Sequence, residues 1–160
     1  MDIIDVIVTF AKTGQVGALR LGLRGDELVA ALREVGVPLP ASDDFADFLQ
    51  REESVEVHVE DGELRMVGLD RIGWREPEFR LPAKMNAPGA VVLTMDRVLE
   101  ILAEADCPWH PYPPLTIDPQ ISIETAAAVH FTFAPRETGG EYLLYCMYAS
   151  TPSGRPHLDE

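Results

Sequence analysis

The stretch Ser54-Val-Glu-Val-His-Val-Glu60-Asp61-Gly62-Glu63-Leu-Arg-Met-Val-Gly-Leu69 decides the fold class. Two apolar–polar alternations flank an Asp-Gly dipeptide. A two-residue turn of that composition favours type I′ geometry, because both central residues must take positive φ. Such a turn fixes register, and it predicts Val59 opposite Leu64, Val57 opposite Met66 and Val55 opposite Gly68, all on one face. The other face then carries Glu56, His58, Glu60, Glu63 and Arg65. One aliphatic and one charged surface predict an antiparallel sheet buried on one side and wet on the other.

Upstream, Leu28, Val29, Leu32 and Val35 recur at helical spacing behind Asp26 and Glu27, whose charges suit the positive end of a helix. Gly36 and Pro38 end it. Asp2, Asp5, Thr9 and Lys12 form one polar stripe, predicting a first helix that turns Ile3, Ile4, Ile7, Val8 and Ala11 inward and stops at Gly14. Its β-branched residues make a strand the competing reading. Ser42, with Asp43 and Asp44 in the first turn, predicts a shorter helix through Phe45, Phe48 and Leu49.

Downstream, the Pro-rich stretch from Trp74 to Pro88 reads as a boundary between halves, with Glu78-Phe-Arg-Leu81 a short strand. Thr94 caps a helix in which Val98, Leu99, Leu102 and Ala105 repeat, and Cys107-Pro108 ends it. A loop, Pro108-Trp-His-Pro-Tyr-Pro-Pro114, leads to two β-rich runs, Ala127 to Phe133 and Tyr142 to Ala149. Both are apolar on both faces, which suits strands central to a sheet or covered on both sides. The expected architecture is a single α+β domain over 1–150, an antiparallel sheet with helices packed on one face, and a flexible tail over 151–160.

Gly17-Ala-Leu-Arg-Leu-Gly-Leu23 lays over Gly89-Ala-Val-Val-Leu-Thr-Met95. After a skip of two residues, Asp26 to Pro38 matches Asp96 to Pro108. Two strand-helix-hairpin units, over 14–73 and 89–150, account for this. So does the tendency of any amphipathic helix flanked by Gly and Pro to align with another.

The pattern Gly17-x-Leu-x-Leu-Gly-x-x-x-x-Glu27-Leu resembles the opening of small bacterial helix-plus-hairpin domains, such as the BamE/SmpA lipoproteins and the repeats of beta-lactamase-inhibitor protein. Together with Val55-Glu-Val-His-Val-Glu-Asp-Gly-Glu-Leu64 it is also similar to uncharacterised actinobacterial proteins. The resemblance covers about the first 70 residues. It implies helices layered on an antiparallel sheet, a scaffold that often binds other proteins and rarely catalyses. Those lipoproteins carry a signal sequence and a lipidated amino-terminal Cys, neither of which is expected for this chain, so membrane assembly is not carried over.

Composition narrows the function classes. At 160 residues with 46% hydrophobic content, the chain can fold without metal or disulfide staples. Its 27 acidic and 13 basic residues leave a formal charge of −14, which repels phosphate backbones and anionic lipid. No nucleic-acid partner and no cofactor are expected. No run of about 18 apolar residues could span a bilayer, and Asp2 and Asp5 stand where a signal peptide needs cations, so a cytoplasmic protein is expected. Cys107 and Cys146 are too few for a disulfide framework and are expected as thiols, although one bridge stays open. Scarce Lys and Asn beside plentiful Ala, Arg, Val and Pro mark a GC-rich bacterial genome.

No catalytic motif is present. Two surface features carry the expected function. Asp43, Asp44, Asp47, Glu52, Glu53, Glu56, Glu60, Asp61 and Glu63 crowd around a single Arg51, which reads either as a solubilising face or as a docking surface for a basic protein. Trp109, His110 and Tyr112 sit in a proline-stiffened loop and would be interface anchors if exposed. An immunity or inhibitor protein covering a basic partner is the leading expectation. A small-molecule enzyme or ligand-binding domain, with a cleft gathering Cys107, His110, Tyr112 and His130, is the second. An oligomer pairing Tyr142 to Ala149 across a symmetry axis is the third.

Overall fold

The computed structural model describes residues 2–41, 45–73, 75–136 and 139–151. The expected tail beyond Thr151, the Ser42 cap, Asp43 and Asp44 lie outside them.

The quoted hairpin forms as its turn demands. Asp61 and Gly62 have φ of 53° and 74°, the two positive values of a type I′ turn, and Glu60 pairs with Glu63. The strands it joins are β2 (Val55–Glu60) and β3 (Glu63–Asp70). Val59 faces Leu64 as predicted, but the register then shifts between His58 and Val59. Val57 therefore faces Val67, and Val55 faces Leu69, instead of Met66 and Gly68. The physical reason is burial. Arg65 enters as a bulge, which moves Val67 and Leu69 onto the face that is sealed from water and Met66 and Gly68 onto the other.

Around this hairpin a seven-stranded, fully antiparallel sheet is built. It adds β1 (Phe48–Glu52), β6 (Trp109–Pro111), β7 (Ile121–Thr125), β8 (His130–Pro135) and β9 (Tyr142–Ser150), in the order β1-β2-β3-β9-β8-β7-β6. A separate pair, β4 (Phe79–Arg80) and β5 (Ala90–Val91), includes the short strand expected at Glu78–Leu81.

Three helices cover one face, hereafter the inner face: α1 (Ile3–Thr13), α2 (Gly25–Val35) and α3 (Met95–Glu104). Ile7, Phe10, Leu28, Leu32, Val98 and Leu102 share a single core with Val57, Val67, Phe131, Phe133 and Met147 of the sheet. Reciprocal capping between Asp2 and Asp5 and a left-handed Gly14 fix the ends of α1. The helix prevails over the strand reading because its β-branched residues bury against this core.

Three expectations are corrected. Phe48–Glu52 is a strand, not a helix, because pairing with β2 outweighs the helical spacing of Phe45, Phe48 and Leu49. The Trp109–Pro111 loop is an edge strand held by β7, and β7 itself was not foreseen. Tyr142–Ser150 lies between β3 and β8, so both its edges are occupied and it has none to offer a second copy.

The two halves are related by a local two-fold that the registers make explicit. Displacing residue numbers by 70 carries α2 onto α3. Val37 N donates to Leu32 O and Cys107 N to Leu102 O, both at 2.9 Å, and Leu23 O and Leu93 O each accept from a sheet amide, Leu64 N and Leu144 N. Leu23 therefore corresponds to Leu93, and the two-residue skip of the sequence alignment disappears. In the sheet, β2 maps onto β8 and β3 onto β9, bulge included: His58↔Met66 and Val59↔Leu64 become Thr132↔Cys146 and Phe133↔Leu144. The axis passes through the pair Gly68↔Tyr148, which maps onto itself.

Candidate functional site

Directly opposed residues of antiparallel strands share a face. Reading the registers across the sheet places Arg51, Glu56, Gly68, Tyr148, His130, Glu124 and His110 in one transverse row on the outer face. At its centre Tyr148 Oη donates to Glu56 Oε2 at 2.8 Å, its ring lying across the glycine. Burial first, then Cys146, Asp70 and Glu56 nearby, push the phenol above its ordinary value, so it remains a donor.

The rest of the row is a clasp. Glu124 Oε2 lies 2.6 Å from His130 Nε2, and Glu124 Oε1 lies 2.9 Å from His110 Nε2. An ionised carboxylate only accepts, so each Nε2 carries its proton. Burial alone would raise the pKa of Glu124. The hydrogen bond and charge of His130, followed by those of His110, override it and hold the carboxyl below the usual glutamate value. Tyr112 stacks on His130 with ring centroids 4.0 Å apart and 21° between planes. Its backbone is pinned by Tyr112 N donating to Ser122 O and by Thr116 Oγ1 donating to Tyr112 O. His130 is only 7% exposed. With both Glu124 oxygens engaged and the imidazole capped, the clasp joins β6 to the sheet. Among the described residues, no group of three or more His, Cys, Asp and Glu could hold a metal.

The gathering expected for a small-molecule cleft is only partly formed. His110, Tyr112 and His130 meet around Glu124, but Cys107 belongs to the core and lines separate hollows, one with Leu102 and Trp109, another with Lys12 and Ala127. Burial pushes the Cys107 thiol up despite Lys12 pulling the other way. Cys146, beside Thr132 on the outer face, is pushed up to about 12, mainly by burial. Both are free thiols. Trp109, 39% exposed, sits on the β6 edge.

The acidic segment divides into two sets. Glu63 is engaged by Arg24 and Arg65 at 3.1 and 2.8 Å, Glu53 lies 3.9 Å from Arg80, and Glu56 is held by Tyr148. Glu52 follows the inner-face alternation of β1 and Glu60 the outer-face alternation of β2. Arg51 is turned onto Asp70, 3.4 Å away. The second set rims a groove of about 480 Å³ between α2 and β1, lined by Asp26, Leu28, Val29, Phe45, Phe48 and Gly62. Asp47 Oδ1 accepts from Asp61 N at 3.1 Å and Ala46 O from Gly62 N at 2.7 Å, which sets Asp47 and Asp61 next to the lining residues Ala46, Phe48 and Gly62. Asp26, Asp47 and Asp61 make no ion pair among the described residues. Phe45, 42% exposed, lines the groove, and Leu49, 61% exposed, stands on the outer face of β1.

Glu124 was not foreseen, and Tyr148 was read only as part of the apolar run Tyr142 to Ala149. The one signal for Glu124 was the alternation of polar Ser122, Glu124, His130 and Thr132 with apolar neighbours, which marks an outer face.

No protein-family model matches the chain, and no curated protein or solved structure does either. No helix among the described residues is long and apolar enough to cross a membrane.

Proposed function

We propose that this chain is an acidic, cytoplasmic protein-binding module of the immunity or inhibitor type, which covers a basic partner. One observation carries the reading: an apolar groove bordered by acids, Asp26 in its lining and Asp47 and Asp61 next to lining residues, that make no ion pair among the described residues, while Arg24 and Arg51 are committed to Glu63 and Asp70. Apolar floors with charged rims suit protein interfaces, where burial gives affinity and rim charge gives encounter rate and orientation. The formal charge of −14 extends the same attraction beyond the groove.

The test is capture of the partner from native lysate on immobilised protein, followed by calorimetry at low and high salt. A basic protein is expected. Its affinity should fall about tenfold or more as the Debye length shrinks from about 10 to 3 Å. The triple variant Asp26→Asn, Asp47→Asn, Asp61→Asn should lose most of that salt dependence. An acidic partner, or an affinity indifferent to salt, would overturn the reading.

A further inference from the structure

The two edges of the sheet are not alike. At one edge β6 is three residues long, contains Pro111 and is flanked by Pro108 and Pro113, which remove amide donors. At the other, β1 presents Phe48-Leu49-Gln50-Arg51-Glu52 with no proline. Every second amide and carbonyl of an antiparallel edge strand points away from its neighbour, and among the described residues nothing pairs with β1 on that side. A charge in mid-strand usually blunts such an edge. Here Arg51 is withdrawn, donating instead to Glu53 O, Asp70 O and Arg71 O.

The edge is furnished on both sides. On the outer face Leu49, in the alternation of His58 and Glu56, stands 61% exposed. On the inner face Phe48 forms one wall of the groove, facing Leu28 and Val29 of α2. We propose that β1 receives an extended segment of the basic partner as an eighth strand, with alternating aliphatic and cationic side chains. This deepens the function proposed above and rests on it. Backbone pairing would supply affinity, aliphatic side chains would enter the groove beside Phe48, and Lys or Arg would meet Asp26, Asp47 and Asp61 at its rim. The five residues of β1 match the usual length of a strand.

The test uses the full chain and a short capped peptide alternating Lys and Val. Two further versions are N-methylated on alternate residues along one edge or the other. Adding the parent peptide should slow hydrogen exchange of the outward amides of Phe48–Glu52 about tenfold, and methylation of the pairing edge alone should weaken binding about tenfold. Leu49→Lys, a change at an exposed position, should weaken binding without altering the melting temperature. Equal binding of both methylated peptides, equal binding of a Glu-Val peptide, or no binding of any would overturn strand addition. The salt-dependent partner of the previous section could survive each of these results, so the two proposals fail separately. A dimer in light scattering that Leu49→Lys dissolves would also overturn it, by giving the edge to a second copy.

Discussion

Tyr148 crosses the outer face directly over Gly68, and its hydroxyl reaches Glu56 on the strand beyond, at 2.8 Å. A Cβ at position 68 would collide with Met147 O and with Tyr148 Cδ1, one of them backbone, so the ring cannot simply swing aside. Gly68→Ala is therefore expected to lower unfolding free energy by about 2–3 kcal/mol in urea titration, as overpacking does. Tyr148→Phe keeps the ring but strands the Glu56 carboxylate, at a cost of about 1–2 kcal/mol. If Gly68→Ala were neutral, the ring would not occupy this place.

The clasp around Glu124 predicts an acid-side loss of stability. Its folded pKa is depressed, because the contacts from His130 and His110 outweigh burial. A depressed carboxylate stabilises the fold above its unfolded pKa, about 4.3, and the contribution is lost as pH falls from there through the folded value. Glu124→Gln should therefore flatten the stability profile below about pH 4.3 relative to the parent. At neutral pH it should cost about 1–3 kcal/mol, since buried His130 keeps only a weaker acceptor. Denaturant midpoints measured across the acid range would settle it, and parallel profiles would refute the assignment.

The thiols should be silent in the native state. Cys146 at about 12 holds roughly one part in ten thousand of thiolate at pH 8, and Cys107 is buried as well as shifted upward. Ellman's reagent should find no fast-reacting thiol in the folded protein and both thiols in denaturant. A fast native reaction would contradict the burial of Cys107, if that thiol reacts, or the upward shift of partly buried Cys146, if that one does.

How much of this the sequence carried depends on how local each determinant is. The Asp61-Gly62 turn was legible because the φ preference of two adjacent residues fixes it. The bulge at Arg65 was not, because it arises from the burial of Val67 and Leu69 against helices distant in the chain. β1 read as a helix because Phe45, Phe48 and Leu49 share helical spacing, and only the presence of β2 decides otherwise. Asp47 and Asp61 were visible in a charge run, and Asp26 only as a helix-start acid, but separating Asp47 and Asp61 from the ion-paired Glu63 needed Arg24 to be placed. Glu124 was passed over because its two histidines lie on different strands, His110 fourteen residues before it and His130 six after.

The local two-fold makes a prediction that neither half makes alone. Gly36 and Asp106 occupy the same place after α2 and α3, with φ of 95° and 52°, and the residues that follow, Val37 and Cys107, are both buried. A left-handed conformation is unfavourable for a residue with a Cβ, and a negative charge there opposes the negative end of the helix dipole. Asp106→Gly is thus expected to raise stability by about 0.5–1 kcal/mol. Gly36→Asp should cost more than that substitution gains, because its Cβ would stand 3.2 Å from Lys84 Cβ as well as being strained. By the same equivalence Cys107→Val should remain within about 1 kcal/mol of the parent, since valine already fills that position at Val37, whereas Cys107→Ser buries a hydroxyl and should lose about 1–3 kcal/mol. Thermal and urea unfolding of the four variants provide the check. A destabilising Asp106→Gly would show that the two helix ends are not equivalent.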